Sequence, residues 1–257
     1  MDAHSSRIKA LFDTTDRVAA FVLTQYLSQN IAISRKLDGS EVTNVDIEAE
    51  NIARECIESL FPDDGFLGEE SSEVQGASEY RWVVDPIDGT ASFARGVPLF
   101  GTLIGLEYRK KPIAGMASLP ALGESISAVI GNGALYNNTP TKVSETDDLQ
   151  DAMICTTSFD YYRQTSSESL YKKLLECAGS TRGWSDCYGY LLLCTGRIDC
   201  VVEPLLHPWD ITPWLPIIAE SGGRFTPIAK GGVATNANLH ETLYHALHDD
   251  ITNRRNY

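Results

Sequence analysis

Trp82-Val83-Val84-Asp85-Pro86-Ile87-Asp88-Gly89-Thr90 is the stretch from which the fold of this chain is read. Three apolar residues in a row describe a buried strand. The strand is expected to end at the Asp85 carboxylate, because Pro86 lacks a backbone donor and interrupts a ladder. Asp88 follows after one tight turn, and Gly89 lets the backbone bend sharply or approach a ligand closely. Two carboxylates and the Thr90 hydroxyl are thereby crowded at a strand end, where open α/β sheets place their ligands. Two like charges about 4 Å apart repel by roughly 4 kcal/mol at an effective dielectric near 20. A cation removes that cost, and a set of hard oxygen ligands favours magnesium.

The surrounding chain is that of a globular protein. Its 257 residues suit one large domain or two intimate subdomains. A hydrophobic fraction of 43% is enough for a sizeable core, and no apolar run approaches a membrane span. The formal net charge is −14 and no dense Lys/Arg cluster occurs, which argues against nucleic acid or an anionic membrane as partner. A small phosphorylated substrate stays compatible if bound metal supplies local positive charge. Met1 to Asp16 is polar and charged without a signal-peptide block, so a cytoplasmic location is the simplest expectation, a targeting peptide already removed leaving no trace. The six cysteines form no CxxC pair and sit among apolar residues, as buried free thiols do.

Ile8, Leu11, Phe12, Val18, Ala19, Val22 and Tyr26 mark one face of a long first helix. Asp38-Gly39 reads as a turn, and Asp46 as the opening of a second helix with Ala49, Ile52, Ala53, Cys56, Ile57 and Leu60 as its buried stripe. Strands are expected at Arg81 to Asp85, Gly101 to Tyr108, Pro112 to Ser118 and Glu124 to Ile130, joined by short polar connections into an antiparallel sheet flanked by those two helices. From Ala152 strands alternate with helices: helices at Ser166 to Cys177, Ser185 to Cys194 and Asp210 to Glu220, a strand at Ile198 to Glu203, a short strand near Val233 and a helix from Asn238. The division is an N-terminal α+β part, 1–150, and a C-terminal α/β part, 151–257, sharing one continuous core.

Taken one at a time, the other acidic motifs are weak. Gly68-Glu69-Glu70 follows the apolar pair Phe66-Leu67 but could be a solvated loop. Asp210, ahead of Ile211, Trp214, Leu215 and Ile218, reads as an N-cap with Pro213 in the first turn, and Gly222-Gly223 ends that helix. Asp186 reads equally as a cap, and a lone Arg182 as a solvent-exposed side chain.

Together, in order, the motifs carry a resemblance. Lys36, Val42-Thr43-Asn44-Val45-Asp46, Gly68-Glu69-Glu70, Asp85-Pro86-Ile87-Asp88-Gly89-Thr90, Trp209-Asp210 and Glu220-Ser221-Gly222-Gly223 resemble the inositol monophosphatase family of metal-dependent, lithium-sensitive phosphomonoesterases. Within it, Arg182-Gly183-Trp184-Ser185-Asp186-Cys187-Tyr188-Gly189-Tyr190, Phe100-Gly101-Thr102-Leu103-Ile104, Pro208-Trp209-Asp210 and Ala234 to His240 are most similar to the branch that hydrolyses histidinol phosphate. Ser221, Thr212 and Pro213, and a short segment between Phe225 and Ala234, depart from the family pattern.

The resemblance implies a layered αβαβα sandwich of the inositol monophosphatase / fructose-1,6-bisphosphatase type, an α/β (α+β) fold, and a homodimer. It implies two to three Mg2+ ions: one on Glu69, Asp85 and the Ile87 carbonyl, a second on Asp85, Asp88 and Asp210, and a weaker third aided by Glu69. Thr90 and Asp46 would orient and deprotonate the attacking water with Glu69 assisting, and the Gly89 and Thr90 amides would contact phosphate. Substrate contacts are expected from Ile87, Asp88, Gly89, Thr90, Arg182, Asp186, Glu203 and Asp210, with Asp186 suited to an ammonium group and Arg182 reaching phosphate, in one version from a neighbouring subunit. The expected reaction is hydrolysis of L-histidinol phosphate in histidine biosynthesis. An inositol-1-phosphatase, a broad sugar-phosphate phosphatase and a non-catalytic phosphate-binding relative stay open as alternatives.

Overall fold

The computed structural model describes residues 3–28, 31–36, 39–184 and 186–252, so Asp38 and Ser185 lie outside the described residues. The chain divides into two compact units. The first holds everything described up to Thr139 together with Pro208–Ile217; the second holds Pro140–His207 and the chain from Ile218 onward.

In the first unit, α1 (Ala3–Ser28) precedes a small antiparallel pair, β1 (Ile33–Arg35) and β2 (Glu41–Thr43). Helix α2 (Asn44–Leu60) begins two residues ahead of Asp46. Its N-cap is Thr43, whose hydroxyl accepts from the backbone N–H of Val45 and Asp46, while the Asp46 carboxylate accepts the Thr43 N–H in return. This reciprocal capping box uses a Thr-x-x-Asp spacing and moves Asp46 from the helix opening to its third position. There follow β3 (Gly65–Gly68), β4 (Tyr80–Asp88), the short helix α3 (Thr90–Ala94), β5 (Gly101–Tyr108), β6 (Lys111–Leu119), β7 (Glu124–Val129), β8 (Ala134–Tyr136) and β9 (Thr139–Thr141). The sheet has seven strands in the order β3-β4-β5-β6-β7-β8-β9. The β3–β4 pair is parallel, and the pairs from β4 to β8 are antiparallel.

Strand β4 does not stop at Asp85. It continues to Asp88, which pairs with Gly101, and its register slips between Asp85 and Asp88. Pro86 sits in that irregularity, where a missing donor interrupts nothing, and its carbonyl accepts from Thr102 Oγ1 at 2.9 Å. Helix α1 lies against β4, β5, β6 and α2, and α2 lies on β4. Leu11, Val18, Val22, Ala49, Ala53, Trp82, Val84, Ile104 and Leu106 form the core beneath them.

The second unit runs β10 (Met153–Thr156), α4 (Phe159–Gln164), α5 (Glu168–Cys177), β11 (Ser180–Arg182), α6 (Asp186–Cys194) and β12 (Cys200–Glu203). The chain then passes through α7 (Pro208–Ile211) and α8 (Trp214–Glu220) before β13 (Gly223–Ile228), β14 (Gly231–Asn236) and α9 (His240–Thr252). Its sheet has the order β11-β10-β12-β14-β13. The β10–β11 and β10–β12 pairs are parallel; β14 is antiparallel to both β12 and β13. The β13–β14 hairpin turns through Ala229 at φ +41°. Leu149, Ile154, Tyr162, Leu174, Val202, Val233, Leu243 and Leu247 build this unit's core. All six cysteines are free thiols, four of them buried.

The helix expected over Asp210 to Glu220 is two helices. Pro208 starts α7, so Asp210 is its third residue and not a cap; Thr212-Pro213 separates α7 from α8. Pro213 rests on the sheet of the first unit over Gly105 and Gly115, which lie opposite each other on β5 and β6. A Cβ on Gly115 would come within 1.9 Å of the Pro213 carbonyl oxygen, and one on Gly105 within 3.1 Å of its Cα. Both obstacles are backbone and cannot swing aside. Gly115→Ala is therefore expected to lower the unfolding free energy by about 1–3 kcal/mol, and Gly105→Ala by less, in urea titrations. Equal stabilities for the two variants would contradict this seat.

Candidate active site

Asp85 is the centre of a carboxylate cluster in the first unit. It is 1% exposed, and its Oδ1 accepts the Ile87 N–H at 3.0 Å. Burial pushes its pKa well above the usual carboxylate range, and the charges of Glu69, Asp88, Asp210 and Asp46 add to the rise in that order. Four of the carboxylates singled out in sequence thus act on one buried group. They come from different elements: Glu69 from the turn after β3, Asp85 and Asp88 from β4, Asp46 from α2 and Asp210 from α7. Helix α7 contacts both β4 and β5, which brings Asp210 in.

Asp46 is fully buried and does two jobs. One oxygen closes the α2 capping box with Thr43; the other, Oδ1, accepts from Thr90 Oγ1 at 3.0 Å. Burial raises its pKa, the hydrogen bonds from Thr43 and Thr90 pull it back, and the charge of Glu69 adds to the rise. Thr90 Oγ1 also lies 3.0 Å from the Ile87 carbonyl, and its single proton can serve only one acceptor at a time. Gly89, at φ +86°, makes the left-handed turn that starts α3 at Thr90.

Glu69 and Glu70 are both held by Lys36, whose Nζ lies 2.6 and 2.8 Å from their Oε1 atoms. Burial opposes the lysine's charge, but the two carboxylates outweigh it and raise its pKa. Glu70 is pushed up to about 7, mainly by burial, against the pull of Lys36. Behind this turn lies Glu50 of α2, 2% exposed, on the edge of the buried stripe beside Asp46, Ala53 and Ile57, a carboxylate that its residue type alone would leave in solvent. Its Oε2 accepts the Glu70 N–H at 2.7 Å and its Oε1 accepts the Ser71 hydroxyl. Gly68 leaves room for it, since a Cβ there would meet the Glu50 carboxylate at 2.3–2.5 Å.

The donors are all hard oxygens around a desolvated negative group, which fits magnesium or manganese. Among the described residues no group of three or more His, Cys, Asp or Glu side chains already converges as a metal cage. One Glu69 oxygen is engaged by Lys36 and one Asp46 oxygen by Thr43, so the cluster is a set of nearby donors whose charge is unbalanced.

In the second unit, Glu203 ends β12 and is 6% exposed. Asp186 begins α6 with φ +56°. Both act on Cys155, whose thiol is pushed up to about 12 by burial, then by the charge of Glu203 and, less, by that of Asp186. The thiol donates to the Trp184 carbonyl at 2.7 Å. Arg182 is exposed at the sheet edge, donates to the Thr181 carbonyl, and lies 5.9 Å from the centre of the Trp184 ring. Asp186 and Glu203 therefore share one neighbourhood.

The model of the inositol monophosphatase family matches residues 4–254. This chain belongs to that family. Its members here include a histidinol-phosphatase from Chlorobaculum parvum, 35% identical over 84% of this chain and 83% of the relative. An inositol-1-monophosphatase from Rhizobium meliloti is 34% identical over 79% of this chain and 78% of its own length. The crystal structure of extragenic suppressor protein SuhB from Bartonella henselae superposes with a TM-score of 0.87 at 25% identity, covering 98% of this chain and all of that one. The layered α+β fold of the family is the fold of this chain, and the chain is a phosphatase of that family. No helix among the described residues is long and apolar enough to cross a membrane.

The cluster predicts a linkage between protons and metal. Asp85, Asp46 and Glu70 have folded-state pKa values raised above their unfolded ones. Their contribution to stability is present below the unfolded values, about 4, and is lost as pH rises through the folded ones. A divalent cation held by these carboxylates would take the place of the protons. The rise in Tm on adding magnesium is expected to be small near about pH 5 and larger near about pH 8. An equal rise at both values would contradict the linkage.

Proposed function

We propose that the chain is a Mg2+-dependent phosphomonoesterase that hydrolyses L-histidinol phosphate to L-histidinol and phosphate. The observation that carries the first part is the set of carboxylates from four elements acting on buried Asp85. In this reading Glu69, Asp85, Asp88, Asp210 and the Ile87 carbonyl hold two to three ions. When bound, the ions neutralise charge on the phosphoryl oxygens and lower the pKa of water.

Asp46 and Thr90 have the geometry of a water-orienting pair. The Thr90 hydroxyl faces Asp46 Oδ1 at 3.0 Å, so it can accept from the attacking water while passing its own proton to Asp46. Burial keeps the Asp46 pKa raised and suits it to receive that proton. Glu69, whose charge acts on both Asp46 and Asp85, assists. The backbone amides of Gly89 and Thr90 take phosphate oxygens, with Asp88 and Asp210 beside the scissile bond.

Substrate choice rests on Asp186, Glu203 and Arg182. Histidinol phosphate carries an ammonium group, and the neighbouring Asp186 and Glu203 carboxylates offer a charge-assisted partner for it. The similarity to the Chlorobaculum histidinol-phosphatase supports this choice; the Rhizobium inositol-1-monophosphatase supports inositol 1-phosphate as the second reading. Location in the cytoplasm and a homodimer belong to the same proposal.

Steady-state phosphate release with magnesium separates the two. The kcat/KM for L-histidinol phosphate is expected to exceed that for inositol 1-phosphate by at least about ten-fold. Asp186→Ala is expected to raise KM for the amine-bearing ester about ten-fold or more while leaving an uncharged ester little changed. A preference for inositol 1-phosphate, or an equal loss on both esters, would favour the second reading.

A further inference from the structure

We infer that Glu50 is a positioning residue for the metal cluster, acting through the Glu69–Glu70 turn; this rests on the reading of Glu69 as a metal ligand. A buried carboxylate needs a reason, because it is costly to desolvate without partners. Glu50 has two partners, and both belong to the turn that presents Glu69: the Glu70 N–H at 2.7 Å and the Ser71 hydroxyl. Ser71 receives a hydrogen bond from Arg54 in turn, and the Arg54 guanidinium lies over the ring of Phe66, two residues before the end of β3, at 4.5 Å. The missing side chain at Gly68 is what lets the carboxylate enter. The arrangement ties helix α2, which also carries Asp46, to the end of β3. Asp46 and Glu50 are one helical turn apart, so a single rigid helix sets both the water-orienting carboxylate and the turn holding Glu69.

The bonds run from Glu50 to the Glu70 N–H and the Ser71 hydroxyl, one and two residues beyond Glu69. Glu50 therefore fixes the direction in which Glu69 leaves the chain and touches no reacting atom. Groups that orient metal ligands in this way typically contribute ten- to a hundred-fold in metal affinity or activity.

The test is calorimetric titration of the apo full-length protein with Mn2+, alongside phosphatase assays across magnesium concentrations. Glu50→Ala is expected to weaken Mn2+ binding about ten-fold, and Glu50→Gln, which keeps one acceptor oxygen for the Glu70 N–H, much less. In a Glu69→Ala background, Glu50→Ala should add less than about two-fold, because the ligand it orients is gone. Ser71→Ala, a milder cut in the same link, should weaken binding by about three-fold and serves if Glu50→Ala does not fold. Unchanged binding in Glu50→Ala, or in Ser71→Ala where that variant is the one used, would overturn the inference. So would an equal loss with and without Glu69. A wild-type protein that binds Mn2+ yet hydrolyses no phosphomonoester would overturn the proposed function while leaving the binding comparison to decide the role of Glu50.

Discussion

The constraint on which the molecule turns is the desolvation of Asp85. At 1% exposure it cannot spread its charge into water, and the groups whose charge acts on it, Glu69, Asp88, Asp210 and Asp46, are all carboxylates like itself. Such an arrangement is unfavourable for a protein on its own and favourable for one that holds cations. Several local features of the first unit lie beside those carboxylates: the slip in β4 around Pro86, the left-handed turn at Gly89, the break at Thr212-Pro213, and the glycines that let backbone lie on backbone.

The supports are backbone hydrogen bonds and close steric contacts. The capping box fixes Asp46 as it fixes the start of α2: one carboxylate oxygen caps the helix and the other faces the Thr90 hydroxyl. The Gly105–Gly115 pair accepts Pro213 and so sets where α7 presents Asp210. Lys36 engages Glu69 and Glu70 and offsets part of the negative charge. In the proposed function stability and reactivity share these residues, so several substitutions behind the cluster are expected to act on both.

Four of the seven strands in the first unit's sheet, β4 to β7, are legible as apolar runs bounded by Gly, Pro and polar turns, and β5 spans Gly101–Tyr108, as the pattern predicts; the short strands β3, β8 and β9 and the parallel β3–β4 pair are not. Position along β4 was less so. Pro86 signals a strand end by local rules, yet a bulge absorbs its missing donor, and a bulge has no composition of its own. The periodic segment after Asp210 gives it the local signature of a cap, but Pro208 starts the helix earlier and Pro213 cuts it. The Thr43-x-x-Asp46 box carries Asp where the usual signature has Glu or Gln, so its local signal is weak. Glu50 gave no local signal, since a glutamate on a helix is ordinarily solvated and only tertiary structure buries it. The acidic residues of the cluster were named from their order along the chain, whereas the neighbourhood of Asp186 and Glu203 around Cys155 depends on parallel strand pairing that spacing does not reveal.

The most direct test is a crystal structure of the protein grown with Mn2+, read by anomalous scattering at the manganese edge. The account predicts peaks bound by oxygens of Asp85 together with Asp88, Asp210 or Glu69, at the short distances of hard-cation coordination. Manganese found only elsewhere on the surface, with Asp85 still buried and uncoordinated at saturating metal, would contradict it.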